Sequence, residues 1–202
     1  MEGEIKNQKA FDERRRRAAE VALRLFADKG FHNTKIKEVA EALGLSIGCL
    51  YNYVPSKMGL LQLVVQLVEE RWEAATGIGR LEGKTCWEVM EKAIRSWFEA
   101  AHRNSDGVLF GYRDIQRLPC EGRTALLEVT QRRIDLFRDL IVKGVQDGEF
   151  KPVDAPVTAY TIVAMGHLWT LGRWYWLPGG YDLGHYADAQ VLSVKRLLGV
   201  EK

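Results

Sequence analysis

The sequence predicts an all-α protein: an N-terminal three-helix head carrying a helix-turn-helix, then a C-terminal helical bundle, about nine helices in total. Three observations predict it. Apolar residues recur at helical spacing along most of the 202 residues, and no stretch alternates with the period of two that a half-buried strand needs. The stretch Thr34 to Lys57, TKIKEVAEALGLSIGCLYNYVPSK, reads as helix, tight turn, helix. Val157 to Leu177 is apolar nearly all round, which marks a helix covered on most sides.

The first helix is expected from about Lys9 to Lys29, with Phe11, Ala18, Ala22, Leu25 and Phe26 inward and Gly30 as its C-terminal cap. Arg14 to Arg17 form a basic run on its first half. Alone, such a run reads as a solvated face; beside a helix-turn-helix it can neutralise phosphates. Thr34 is expected to cap the second helix, whose apolar members are Ile36, Val39, Ala40 and Leu43. Gly44 suits the positive φ that ends it. Ser46 caps the third helix, on which Ile47, Leu50 and Tyr51 are expected to look inward to differing degrees before Pro55 stops it. Ser46, Gly48, Cys49, Asn52 and Tyr53 are then left to face outward.

A long amphipathic helix runs from Ser56 to about Thr76, and Gly77, Gly79 and Gly83 read as a linker. Thr85 and Glu88 make a capping box for a helix ending near Arg103. Further helices are expected at about Gly107 to Arg117, Thr124 to Gln146, Val157 to Leu177 behind the Asp154 cap, and Leu183 to Leu198.

Hydrophobic residues make up 47% of the chain and charged residues 28%, enough to bury a core. Net charge is only +2, so a nucleic-acid surface has to be local. Residues 1–60 carry 11 Lys and Arg against 8 Asp and Glu, and the remainder 18 against 19, which puts the small excess at the N-terminal end. Cys49, Cys86 and Cys120 are scattered without a CxxC pair, so reduced thiols are expected, with neither a disulfide frame nor a metal site. The chain opens without the apolar core of a signal peptide and contains no apolar run of about 18 residues. A cytoplasmic protein is expected.

An enzyme reading finds no constellation to carry it. His32, His102, His167 and His185 are far apart in sequence, no serine sits in a nucleophile elbow, and no Walker loop is present. His167, on the apolar segment, reads as a core or pocket residue. No cofactor is implied.

Residues 10 to 60 resemble the DNA-binding domain of TetR-family transcriptional regulators. The resemblance rests on Ala22, Leu25, Phe26 and Gly30, then on Thr34, Val39, Ala40, Leu43, Gly44, Ser46, Gly48, Leu50, Tyr51, Tyr53, Ser56, Lys57 and Leu60. It implies that the third helix enters the major groove of an operator. Phosphate contacts then fall on Thr34, Tyr51, Tyr53 and Lys57, and base-facing positions on Ile47, Gly48, Cys49 and Asn52, with Ser46 at the helix start. Val54 stands where the family usually has phenylalanine and Met58 where it has glutamate. No arginine or lysine faces the bases to fork onto guanine, Asn52 alone has an amide suited to adenine, and Ile47 and Cys49 suit thymine methyl groups. Much of the specificity is therefore expected from phosphate register and DNA shape.

The division expected is residues 1–57 for DNA binding and 58–202 for effector binding and dimerisation. Two helices too apolar for one subunit to cover predict a homodimer through the last two helices of each chain, as the resemblance also implies. In the bundle, large aromatics stand near arginines, and Trp97, Phe110, Tyr112, Arg113, Phe137, Trp169, Arg173 and Trp174 are the candidate effector contacts. Arg113 or Arg173 would supply the fork for an anionic end. The pattern around Phe110 and the segment WYWLPGGYDL are similar to the acyl-CoA-responsive, FadR/KstR-like branch of the family. That implies a ligand-responsive repressor released from a palindromic operator by an apolar or acyl-CoA-type effector. A multidrug-type sensor taking planar cations is the alternative.

Overall fold

In a computed structural model the chain is described over residues 2–77 and 81–200, with the backbone alone for residues 2–7. The described residues form ten helices and no strand. In chain order they are α1 (Glu2–Lys29), α2 (Ile36–Ala42), α3 (Ile47–Tyr51), α4 (Lys57–Thr76) and α5 (Cys86–Arg103), followed by α6 (Ser105–Asp114), α7 (Cys120–Gln146), α8 (Ala155–Leu171), α9 (Arg173–Trp176) and α10 (Leu183–Leu197). Of the expected glycine linker, Gly79 lies outside the described residues.

The chain packs as two compact units. One comprises Met1–Glu70 with Leu109–Leu127, the other Arg71–Val108 with Glu128–Lys202. Helices α4, α6 and α7 thus contribute residues to both.

In the first unit α1 buries Ala18, Ala22 and Phe26, α2 buries Val39 and Ala40, and α3 contributes Leu50. Val54, at the position where the family prefers phenylalanine, is fully buried. Phe26 meets Phe31 at 5.2 Å and Phe110 at 5.6 Å between ring centroids, so α6 closes this core. Gly30 ends α1 with φ +90°, and Gly44 ends α2 with φ +68°, backbone that a side chain rarely tolerates.

In the second unit α5 packs along α8, and α10 covers both. The Thr85 hydroxyl accepts from Glu88 N–H at 3.1 Å to start α5, and Asp154 accepts from Val157 N–H at 3.0 Å to start α8. Trp97, Phe98 and Phe137 are fully buried. Gly166 lets α8 approach α5, because a Cβ there would stand 2.4 Å from Trp97 Nε1.

One expectation about α8 needs correction. Sequence reading runs one helix to Leu177, but α8 stops at Leu171 and a separate turn, α9, carries Trp174 and Trp176. The cause is Gly172: the Trp176 ring occupies the space of its missing Cβ, 2.5 Å away, which only a folded-back chain allows. One chain does not cover α8 all round, in keeping with a helix too apolar for a single subunit to hide. Thr158, Ala159, Ile162, Val163, Gly166, Trp169 and Thr170 are buried, while Val157, Tyr160 and Leu168 are more than half exposed.

Candidate nucleic-acid interface and effector site

The candidate interface lies in the first unit. Ser46 Oγ accepts from Cys49 N–H at 3.1 Å, which sets the first turn of α3. Leu50 pins the helix inward, and the opposite face remains open. Ser46, Ile47, Gly48, Tyr51 and Asn52 are exposed, with Cys49 and Tyr53 half-buried. The inward orientation expected for Ile47 and Tyr51 is thus corrected: they are 39% and 46% exposed, because Leu50 alone satisfies the contact beneath a helix of only five residues.

Cations flank this face. Arg14 donates to the Tyr53 hydroxyl, and its guanidinium carbon lies 5.2 Å from the Tyr53 ring centroid. Phe11 meets the same ring at 5.4 Å. Lys57 Nζ donates to the His32 carbonyl at 3.1 Å and lies 4.6 Å from the Phe31 ring centroid. Burial there holds the Lys57 ammonium below its usual range, while Glu38 and Asp114 pull the other way.

Thr34 requires the second correction. It does not cap α2; the cap position belongs to Lys35. The Thr34 side chain is buried, and its hydroxyl donates to the carbonyls of Gly30 at 2.8 Å and Leu25 at 3.3 Å. It locks the turn after α1 and offers no free hydroxyl to a phosphate. The first turn of α2 is held by Glu38, which accepts from Lys35 N–H at 2.7 Å and from Lys29 Nζ. Lys29, then the Lys35 amide, hold the Glu38 carboxyl below its ordinary range. The Lys35 to Glu38 spacing was the visible signal, a glutamate at the third helical position.

The eight candidate effector contacts divide between the units. Phe110, Tyr112 and Arg113 belong to the first. Phe110 is core, Tyr112 is half exposed, and Arg113 donates to the carbonyls of Ala27, at 3.0 Å, and Asp28. Arg113 therefore closes the C-terminal end of α1 instead of presenting a free fork. Trp97, Phe137, Trp169, Arg173 and Trp174 belong to the second. Arg173 and Trp174 are exposed on α9, Trp174 by 78%.

The structure gathers Trp97 and Phe137 with partners that sequence reading missed. Trp97 stacks on Trp72 at 4.4 Å between centroids, meets Phe137 edge-on at 6.3 Å, and donates Nε1–H to the Val163 carbonyl at 3.1 Å. Arg133 lies over both indoles, 4.5 Å from Trp72 and 5.9 Å from Trp97. His167 sits at 5.4 Å from Trp97. Although its residue surface is only half-buried, desolvation among these rings, then the Arg133 charge, lowers its pKa to about 4. At neutral pH it is an uncharged imidazole. Trp169 forms a second group, donating Nε1–H to His102 Nδ1 at 3.1 Å and meeting Tyr186 at 5.5 Å. Tyr186 donates to the Met165 carbonyl at 2.7 Å, and burial raises its pKa to about 12.

The cysteines are free. Desolvation, then a hydrogen bond to Asp147 at 3.3 Å, raises the Cys86 thiol to about 11, so it is no nucleophile at neutral pH. Among the described residues no group of three or more His, Cys, Asp and Glu could hold a metal, and no helix is long and apolar enough to cross a membrane.

A short helix with an uncharged outward face, flanked by cations and braced by α2, is the geometry of a helix-turn-helix DNA reader. Family comparison agrees. Residues 83–198 match the tetracyclin repressor-like C-terminal domain, and residues 19–64 match the tetR family of bacterial regulatory proteins. The chain belongs to the TetR family of transcriptional regulators, and it is a ligand-responsive, DNA-binding regulator of the repressor type. Its matched domains and relatives are transcription regulators, not enzymes.

Among those relatives, the HTH-type transcriptional regulator HbdR of Aromatoleum sp. (strain CIB) is 24% identical, covering 93% of this chain and 82% of its own length. The HTH-type transcriptional repressor KstR2 of Mycolicibacterium smegmatis is 28% identical, covering 90% of this chain and 88% of its own. A tetR-family regulatory protein from Rhodococcus RHA1 shares the fold with a TM-score of 0.81 at 21% identity, covering 94% of this chain and 98% of that one. AibR, solved in complex with isovaleryl coenzyme A and operator DNA, shares it with a TM-score of 0.77 at 22% identity, covering 88% and 96%.

Proposed function

We propose that this regulator is a cytoplasmic repressor that sits as a homodimer on a palindromic operator and is released by a small apolar or acyl-CoA-type effector. In this reading residues 1–57 serve DNA binding and 58–202 serve the effector and the dimer. The observation that carries it is the open face of α3 between Arg14–Tyr53 and Lys57. Ser46, Ile47, Gly48, Cys49 and Asn52 face the bases, and Tyr51, Tyr53 and Lys57 face the phosphates. Thr34 acts indirectly, by holding the turn that presents α2 and α3.

A dimer is supported by the apolar side chains that one chain leaves bare on its last helices: Val157, Tyr160 and Leu168 on α8, Leu192 and Leu197 on α10. Dimers are also typical of the family. The effector reading is supported by the Trp72, Trp97 and Phe137 cluster with Arg133 over it, a cation laid against aromatic faces. The positive charge of Arg133 over the indoles favours an anionic effector over a planar cation. AibR, solved with isovaleryl coenzyme A, lends weight to acyl-CoA chemistry.

Release follows from coupling. Because α4, α6 and α7 contribute to both units, an effector that favours one arrangement of them biases the other unit. A coupling of about 1–3 kcal/mol changes operator affinity roughly 5- to 150-fold.

Fluorescence anisotropy with duplex DNA from the chain's own upstream region tests this. Binding should fall steeply between about 50 and 200 mM salt, and acyl-CoAs should release the DNA where planar cationic dyes do not. Release by the dyes alone would replace the effector class, and salt-insensitive or absent binding would overturn the reading.

A further inference from the structure

From Ala42 to Ser56 the chain carries no Asp, Glu, Lys, Arg or His, although charged residues are 28% of the whole. That uncharged stretch includes all of α3 and both of its flanks. Its exposed face presents one bulky aliphatic side chain, Ile47, and that side chain is left 39% bare while Leu50 on the other face is sealed. A β-branched aliphatic at the first position of an exposed turn is neither a good cap nor a core contact.

Gly48, its neighbour, is the second observation. Glycine within a helix costs about 0.5–1 kcal/mol against alanine, so it usually has a reason inside the protein. Here it has none: its φ is not positive, and a Cβ built on it meets nothing within 4 Å. Compare Gly166, whose missing Cβ makes room for Trp97. What Gly48 leaves room for lies outside the chain.

We infer that Ile47 reads the 5-methyl group of thymine in the major groove, and that bare Gly48 lets the floor of the groove come close enough for it to do so. The inference rests on the proposal that α3 enters an operator, and it names how that helix discriminates. Guanine offers two acceptors in the major groove and cytosine a donor, and Ile47 can satisfy neither. Thymine alone presents a methyl group there, and apolar contact with it is the discrimination available to an aliphatic side chain. The half-buried Cys49 follows on the same helix and the exposed Asn52 caps its C-terminal end, with an amide suited to a neighbouring adenine. The operator half-site is therefore expected to be rich in dT and dA where α3 lies.

The test uses the full-length protein and a duplex selected from random-sequence DNA for tight binding. Each dT is replaced singly by deoxyuridine, which removes the methyl and leaves every hydrogen-bonding group. At one or two positions in each half-site, deoxyuridine should weaken binding about 3- to 5-fold, the worth of one buried methyl. Ile47→Ala should bind more weakly and lose that sensitivity, thymine and deoxyuridine duplexes becoming equivalent for it. Gly48→Ala should melt at or above the wild-type temperature yet lose operator affinity more than tenfold, with low-salt binding to unrelated DNA retained.

Indifference of wild type to deoxyuridine everywhere overturns the inference but leaves operator binding standing. So does equal sensitivity in wild type and Ile47→Ala, or full affinity in Gly48→Ala. Failure of wild type to enrich any duplex overturns operator binding itself, and the inference with it.

Discussion

Along α3 and its C-cap the side chains of Ile47, Tyr51 and Asn52 are exposed, and Gly48 is bare with open space around it. In the second unit Trp97 touches Trp72, Phe137, His167 and the Val163 carbonyl at once, under Arg133. The two regions spend their side chains in opposite ways. The reading helix withholds contacts from the fold so that another molecule can make them, and the aromatic cluster makes its contacts in advance. Substitutions should therefore separate cleanly, with affinity lost first at α3 and stability lost first at the cluster.

The largest expected effect is at Trp97→Ala. A fully buried indole, its stack and its hydrogen bond disappear together, for about 3–5 kcal/mol. For a chain of this length that is a fall of about 10 °C in Tm by calorimetry. Ile47→Ala, by contrast, should stay within about 0.5 kcal/mol of wild type. Comparable losses at both sites would break the comparison.

A pH series sharpens the cluster next. The pKa of His167 in the folded chain, about 4, lies below its ordinary 6.5. Between those values the unfolded chain binds a proton that the folded chain refuses. Stability is thus lost as pH falls from about 6.5 to about 4, by up to about 3 kcal/mol, and the loss is complete below that window. Urea midpoints measured across it should slope for wild type and flatten for His167→Gln. An unchanged slope in the variant would remove His167 as the cause.

Thr34→Val addresses the turn before α2. Without its hydroxyl, the buried partnership with the Gly30 and Leu25 carbonyls is lost, for about 1–2 kcal/mol in urea unfolding. Operator affinity should follow that destabilisation with the salt slope unchanged. A reduced salt slope at unchanged stability would instead make Thr34 a phosphate contact.

The smallest change in stability belongs to Lys57→Ala. The half-buried amine should leave the melting temperature within about 1 °C, yet lower the slope of log affinity against log salt by about one, the signature of one phosphate contact. An unaltered slope would mean that Lys57 stays with the His32 carbonyl when DNA binds.

Much of the fold is legible in the sequence because helix ends are local. Gly30, Gly44, Ser46, Thr85 and Asp154 act on groups within about four residues, and each ends or caps its helix as its spacing announces, although Glu88 closes no box with Thr85 and accepts instead from Lys84 N–H at 2.8 Å. The helix-turn-helix, with its apolar positions at Val39, Ala40 and Leu50, is legible for the same reason. Local reading failed at Thr34, where two adjacent polar residues competed for one cap and the glutamate at the third helical position chose Lys35. It failed again at Gly172, where the fold-back depends on a ring four residues on that also meets Tyr186 of α10.

The sequence by itself determined the helical class, the helix-turn-helix and the placing of caps, since these depend on periodicity and on neighbours within a turn. Only the tertiary structure decided which face of α3 stays bare, that Arg113 closes α1 from 85 residues away, and that Arg133 instead covers Trp72 and Trp97. Those pairings join side chains with no spacing rule between them. They exist because packing brings distant helices together, and a long cationic side chain settles on whichever carbonyl or aromatic face that packing leaves within reach.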